Sequence, residues 1–566
     1  MTAVFIFRRD FRLKDNTSLI QAIQDKYNIL PIFVFTPEQI NKQKNAYFSN
    51  NAVQFMCESL IDLNQQLEEY QSKLHLFKDT NINVLETIAK TIDIVAVYCN
   101  EDYSVYSKKR DKEILNWCNN KNIPFVMKED YGLLPLQDGL YNNERPYMVL
   151  SQFYNKIMKE ITIKNVATFK FKKSNFLNLT IKDSFPIEKI NTFYKTNPNL
   201  AIHGGRSLAI QQLKNIKKLQ NYNKERDYPA LHKTSMMSPH LKFGTVSVRE
   251  MYWMIENLFG KDHGLIRELI FRDFYLKIYA LQPKLQRGTA LHKHFDEAIP
   301  WSYDKKMFKA WANGLTGYPL VDAGMRELNT TGHQHNRIRM LCGSVLTKYF
   351  LIDWRWGLKY YYTHLVDADI YSNTAGWGFV SSTGPDGVPY FRAPFNPFIQ
   401  SNKFDKEALY IKKWVPELQD VDVKDIHQWF DPKIREKYLK INYPEPILNH
   451  KEASARAVNV FKSAYKKKFE GGKGMPSQKP NFRNLDLTQG VGAKKTAEER
   501  KQMEEKKSKP KDALDKELYG DDNEETQNLY NELYEEKKED NTITDFLFNN
   551  IDNTNFDTKA LMLSST

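Results

Sequence analysis

Over the first 130 residues, short apolar runs alternate with longer amphipathic stretches. Residues 4–7, 29–35, 74–77, 94–99 and 124–127 are short, strongly apolar runs with polar residues on either side, the pattern of strands covered on both faces. Between them, stretches such as 51–70 place apolar residues at helical spacing. A strand–helix–strand repeat of this kind predicts a doubly wound parallel sheet, whose ligands bind beyond the carboxyl ends of the strands. Arg8, Arg9, Asp10, Arg12 and Asp15 follow the first strand at that end. No GxGxxG follows it, which disfavours an ordinary dinucleotide site.

From 131 to 200 the periodicity weakens and Lys, Asn, Thr and Pro accumulate, as in an interdomain connector with short helices. Gly204 and Gly205 precede a helix that opens at Arg206. Helical periodicity dominates residues 201–465, in segments such as 208–219, 248–259, 264–279 and 324–328. The expected architecture is an α/β domain (1–130), a connector (131–200) and an all-helical domain (201–465). Beyond 466, lysine-rich runs give way to an acidic stretch at 521–540 with few apolar anchors, the composition of a disordered tail covering 466–566. A docking helix at 542–548 is the alternative for that one segment.

With 82 Lys and Arg against 69 Asp and Glu, the net charge of +13 suits either a polyanionic partner or a solubilising surface, and the location of the charges decides. Cys57, Cys99, Cys118 and Cys342 form no CxxC pair, which fits a reducing compartment and argues against a structural zinc. No apolar run approaches membrane-spanning length and the N-terminus enters a strand directly. A soluble intracellular protein without signal peptide is expected, in nucleus or cytoplasm.

Four groups of residues carry candidate chemistry. Thr234, Ser235, Met236, Met237 and Ser238 bring hydroxyls and backbone N–H groups to a helix start, where they can wrap a pyrophosphate or simply cap the helix. Asp367 and Asp369 flank Ala368 and repel unless a cation or donor meets one of them. Arg339 is the natural partner, and a plain helix-end ion pair is the alternative. Glu268, Phe271, Arg272 and Tyr275 lie at i, i+3, i+4 and i+7, either an amphipathic core face or one wall of a pocket. Trp301, Trp354 and Trp377 are the fourth group, and buried indoles are commonly plain core.

The order and spacing of TGYP (316–319), VDAGMR (321–326), HNRIRM (335–340), DWR (353–355), DADIYSNTAGW (367–377) and YFRAPFNPFIQ (390–400) resemble the photolyase/cryptochrome family, and within it the class I cyclobutane pyrimidine dimer (CPD) photolyases. In weaker form the resemblance runs from residue 1 to about 465.

The resemblance implies an N-terminal antenna domain, a helical FAD-binding catalytic domain, and light-driven repair of UV-damaged DNA by a monomer that uses FAD and no metal. A second, light-harvesting chromophore of folate or deazaflavin type is implied as well. Folate-type members carry Asn-Glu where this chain has Tyr106-Ser107, which argues against folate. By the same resemblance, residues 234–238 and Tyr222 hold the FAD phosphates, with Met237 standing where leucine is usual. Arg339, Asp367 and Asp369 lie along the isoalloxazine, Asn373 faces its N5, Ala368 and Arg272 also bind the cofactor, and Arg272 contacts the DNA substrate as well. Trp377, Trp354 and Trp301 form an electron-transfer chain from flavin to solvent. Glu268 meets the pyrimidine carbonyls, with Phe271, Tyr275, Asn336, Arg337, Met340 and Phe379 around the lesion, while Arg226, Arg392, Asn396, Gln400 and Lys403 hold the DNA backbone.

Three departures stand out. Phe271, Phe379 and His333 occupy positions where the family has tryptophan, and phenylalanine offers less stacking area, a loss of some part of the ~1–3 kcal/mol that a base–aromatic stack contributes. A (6-4) photolyase would need a second histidine where this chain has Met340, so CPD repair is the favoured reading. A cryptochrome-like photoreceptor is the rival from another class, supported by the long tail and the two Trp-to-Phe changes. A nucleic-acid-binding protein without chemistry would carry no yellow chromophore.

Overall fold

The computed structural model describes residues 1–385 and 394–470. Arg392, the segment 471–566 and the candidate helix at 542–548 lie outside the described residues.

β1 (Thr2–Ile6), β2 (Asn28–Val34), β3 (His75–Phe77), β4 (Ile94–Asn100) and β5 (Phe125–Lys128) form a parallel sheet in the order β3-β2-β1-β4-β5. All five apolar runs are strands. Their unbroken character reflects burial on both sides: Ala3, Phe5 and Phe33 enter one core, whereas Val4, Ile6 and Ile32 enter the other. Beyond β5 the chain returns over the β2–β3 edge. Phe176 bridges to Ile29 and Phe185 to Leu76, so the edge is covered.

Strand order reverses between β1 and β4, where a doubly wound sheet ordinarily opens its ligand crevice. Here that end is filled. Arg8 pairs with Asp111 at 2.8 Å, Arg12 pairs with Asp130, and Arg249 from the helical region bonds both Asp15 (2.9 Å) and Asp130 (2.8 Å). A cavity of about 10 Å³ remains, space for a single water. The cluster after β1 is therefore a joint between two regions of the chain rather than an open ligand site, because its buried carboxylates need arginines to neutralise them.

The helical region follows. Gly205, at φ +113°, makes the corner into the helix Arg206–Asn215. The helices that matter below are α1 (Gly264–Leu281), α2 (Lys293–Ala298), α3 (Asn336–Ser344), α4 (Trp354–His364), α5 (Ile370–Ser381), α6 (Pro397–Phe404) and α7 (His450–Glu470). α7 runs past the boundary expected at 465, and its Phe461 and Ala464 bury against Phe295, Ile299 and Leu351. Trp311, Tyr318, Tyr349, Trp354, Tyr361 and Trp377 lie, among many aliphatic residues, in the core that supports α3–α5. Among the described residues, no helix is long and apolar enough to cross a membrane.

Candidate functional site

α5 opens on Asp369, whose Oδ2 accepts from the Ser372 N–H at 3.2 Å and so caps the helix. The other oxygen accepts from Arg9 (2.5 Å) and from the Tyr131 hydroxyl (2.9 Å). Two residues earlier, Asp367 takes Arg339 (3.0 Å) and the hydroxyl of Ser238 (2.6 Å). Arg339 thus partners Asp367 as expected, but it is not the cation of Asp369. The two carboxylates avoid repulsion by turning to different arginines, Asp367 to Arg339 and Asp369 to Arg9. Burial acts to raise both carboxyls, yet Arg339 on one and Arg9 on the other outweigh it and leave each below its ordinary value.

Ser238 starts the helix Ser238–Phe243, and the loop before it has Met236 in the left-handed region at φ +54°, an uncommon conformation for a side chain of that size. Gln212 donates to the Ser235 carbonyl at 2.9 Å and steadies the loop. Thr234 and Ser235 are half-buried and Ser238 is exposed, while Met237 is buried. Tyr222 is buried with the Arg226 guanidinium 5.4 Å from its ring centre.

Along α5, Asn373 is pinned by a bond from its Nδ2 to the Leu358 carbonyl at 3.3 Å. Gly376, three residues on, is exposed, and a methyl there would meet nothing within 4 Å. Trp377 is buried with its ring against Gly357 of α4, where an added methyl would come within 2.0 Å of it. Gly357 sits three residues after Trp354, hence on the same helix face. Trp354 is buried and Trp301 half-buried, and both indole N–H groups donate to Asp296 Oδ1 at 3.0 Å. Trp377 thus packs on α4 at Gly357, and Trp354 and Trp301 share one carboxylate oxygen. Trp356 packs on Phe308.

On α1, Glu268, Phe271 and Arg272 are half-buried and Tyr275 is buried, with the Phe271 and Tyr275 rings 5.1 Å apart. Glu268 forms an ion pair with Arg226, and Arg337 forms another with Asp227 at 2.6 Å. Arg226 is thus engaged with the acid rather than displayed alone. His335 caps α3: its Nε2–H donates to the Arg226 carbonyl (2.9 Å) and its Nδ1 accepts from the Arg337 N–H (3.2 Å). Burial pushes its pKa down to about 4, so the ring is neutral at pH 7. Asn336 is exposed with its amide 3.9 Å from the Met340 sulfur. Arg337 and Lys403 both lie over the Phe404 ring. Phe379 is half-buried against the helical core.

Arg272 and Asn396 also bond within the chain. Arg272 lies 4.1 Å over the Tyr131 ring and donates to the Tyr131 carbonyl at 2.9 Å. Asn396 caps α6, its Oδ1 accepting from the N–H groups of Phe398 and Ile399. Gln400 and Lys403 follow on that helix, half-buried and exposed respectively. Sequence reasoning missed the Arg9–Tyr131–Asp369 node and Asp296. For the first, the only available signal was the charge after β1, and for the second there was none.

A separate groove of about 970 Å³ lies at the carboxyl ends of β2 and β3, between residues 37–44, Lys78 and residues 192–195. Tyr106, where folate-type family members carry asparagine, bonds Thr36 at 2.7 Å.

Residues 3–170 match the family described as DNA photolyase, and residues 265–463 match the FAD binding domain of DNA photolyase. The deoxyribodipyrimidine photo-lyase of Buchnera aphidicola subsp. Acyrthosiphon pisum is 32% identical over 489 residues, covering 82% of this chain and 98% of that protein. An archaeal photolyase from Sulfolobus tokodaii, solved with two FAD molecules, is 35% identical with a TM-score of 0.72, covering 82% of this chain and all of the other. A cryptochrome from Synechocystis is 26% identical with a TM-score of 0.71, covering 81% of this chain and 99% of the other.

Proposed function

The chain belongs to the DNA photolyase family, and from that premise we propose that it is an FAD-dependent deoxyribodipyrimidine photo-lyase that splits cyclobutane pyrimidine dimers in UV-damaged DNA. FAD, when bound, supplies light absorption and one-electron chemistry. The donor set fits it: residues 234–238 and Tyr222 suit the phosphates, while Arg339, Asp367 and the pinned amide of Asn373 suit the polar edge of a flat ring. The open side of Gly376 leaves that ring room.

The observation that carries the reading is the arrangement of α5 and α4. Asn373 and Gly376 share a face of α5 that is open at Gly376, and behind it Trp377 packs on Gly357 while Trp354 and Trp301 share one carboxylate, which supports a role for the three as an electron supply. In this reading Glu268, Asn336, Arg337 and Met340 face the flipped dimer. Lys403 provides positive charge for phosphates, and Arg226 adds to it once Glu268 turns to the lesion. Met340 stands where a (6-4) enzyme needs a second histidine for proton transfer, which favours the CPD lesion. For a second chromophore, the groove near β2 and β3 offers Phe193 and Tyr194 with Lys42, Lys44, Lys78 and Lys195, a set suited to an anionic planar molecule.

The test is an absorption spectrum of the purified protein, followed by blue-light repair of oligonucleotides carrying one CPD or one (6-4) lesion. Restored thymine from the CPD substrate alone is expected. A bound flavin without repair of either lesion would support the photoreceptor reading, which Phe271, Phe379 and the likeness to the Synechocystis cryptochrome favour.

A further inference from the structure

We propose that Asp296 is the charge partner and proton acceptor of the two outer tryptophans, a role that rests on the relay reading above. Its carboxylate is buried within α2. Oδ1 accepts from the Nε1–H of both Trp301 and Trp354 at 3.0 Å, and the Trp301 N–H also lies 3.1 Å from the Asp296 carbonyl. Oδ2 is held by Arg355 at 2.5 Å, and Arg355 is itself held by Asp353 (3.1 Å) and the Gly288 carbonyl (2.8 Å). The carboxylate is thus fixed from behind and aims one oxygen at two indole nitrogens, whose separation is bounded by the two bonds they make to it.

Packing alone does not require this arrangement. A single buried indole N–H is satisfied by any carbonyl, as Trp311 is by that of Cys342 at 3.0 Å. Two consecutive members of a proposed electron chain sharing one anionic oxygen have a further electrostatic consequence. Negative charge at equal distance from both nitrogens lowers the oxidation potential of each, and so does not oppose the step between them. An oxidised indole is a far stronger N–H acid than a neutral one, and the base is already hydrogen-bonded to it.

The step balances as follows. Trp301 passes one electron to oxidised Trp354 and becomes the radical cation. Its Nε1–H bond then breaks with the electron pair left on nitrogen, and the proton joins Asp296 Oδ1, leaving a neutral indolyl radical and a carboxylic acid. A thiol reductant in solution later returns one electron to Trp301, and the proton goes back from Asp296. Loss of the proton removes the positive charge that would otherwise draw the electron back, so the separated state lasts longer.

The test uses the full FAD-loaded chain, laser-flash absorption that distinguishes the radical cation from the neutral radical, and a pH-indicator dye in weak buffer. In the unsubstituted protein the neutral radical should form at a rate independent of buffer concentration, with no proton reaching the dye at that moment. Asp296→Asn keeps a carbonyl for both N–H groups but removes the base. It should slow formation of the neutral radical by roughly a hundredfold and make the rate follow buffer concentration, with Asp296→Glu restoring much of it. Equal rates in Asp296→Asn, with its flavin spectrum and melting temperature unchanged, would overturn the assignment. So would proton release to the dye in step with radical formation in the unsubstituted protein, a readout that needs no variant to fold. Absence of any tryptophan radical in the unsubstituted protein would instead defeat the relay reading itself, and this inference with it.

Discussion

Arg9 and Asp369 lie 2.5 Å apart across 360 residues of chain, one just past the first strand and the other capping α5. Tyr131 bonds both of them and Asp102 lies 3.6 Å from the same guanidinium. The pair joins the sheet to the helix that carries Asn373 and Trp377. Arg9→Met would leave a buried carboxylate short of its main cation, which in general costs about 3 kcal/mol. The urea midpoint should fall accordingly, and Arg9→Met/Asp369→Asn should recover part of the loss because the stranded charge is gone. A double variant no more stable than Arg9→Met would show that packing rather than charge is at stake.

Gly376 tests where the cofactor lies. A helix-interior glycine gives up roughly 0.5–1 kcal/mol relative to alanine, and a methyl at 376 meets no neighbour within 4 Å. Gly376→Ala should therefore raise the melting temperature of the flavin-free protein slightly. Gly376→Leu should leave that temperature near its original value but strip flavin absorbance from the purified protein. Full flavin occupancy in Gly376→Leu would move the cofactor away from this face.

Glu268 and Arg226 should separate DNA binding from repair. The pair is partly exposed, with side chains 35% and 30% accessible, so its net stabilisation lies within about 1 kcal/mol. Glu268→Gln releases Arg226 toward phosphate and should tighten binding to undamaged DNA by up to roughly fivefold, while lowering the rate of light-driven repair. Arg226→Gln should weaken binding and reduce its salt slope by about one. Filter binding at several salt concentrations beside a repair assay measures both effects, and parallel losses in Glu268→Gln would contradict the assignment.

His75 in β3 predicts a pH effect far from the site. It is 1% exposed, and neither ring nitrogen has a hydrogen-bond partner. Burial, aided by Lys73, lowers its pKa from 6.5 to about 4. The folded state then binds fewer protons than the unfolded chain between those values, so this residue's contribution to stability is lost as pH falls from 6.5 toward 4. His75→Leu removes the titration and should gain on the parent by roughly 2 kcal/mol on going from pH 7 to pH 5. Denaturant midpoints at the two pH values provide the comparison.

Local order determined much of this protein. The five strands were legible because sheets covered on both faces require unbroken apolar runs, and those runs were there to read. α1 was legible because its apolar residues recur at helical spacing, and the resemblance of the stretch 301–405 to one family singled out the three tryptophans before any fold was known. The pairing of buried charge was not legible. Arg339 was singled out as the cation for the carboxylate pair and meets Asp367, but Asp369 took Arg9 from the far end of the chain, and the charged cluster after β1 became a joint rather than a ligand crevice. Nothing local distinguishes Asp296 from an ordinary helix acid, yet it receives two indoles. Periodicity records which face of an element is buried, whereas the partner of a buried charge is set by docking between distant segments, and only the tertiary structure decided that.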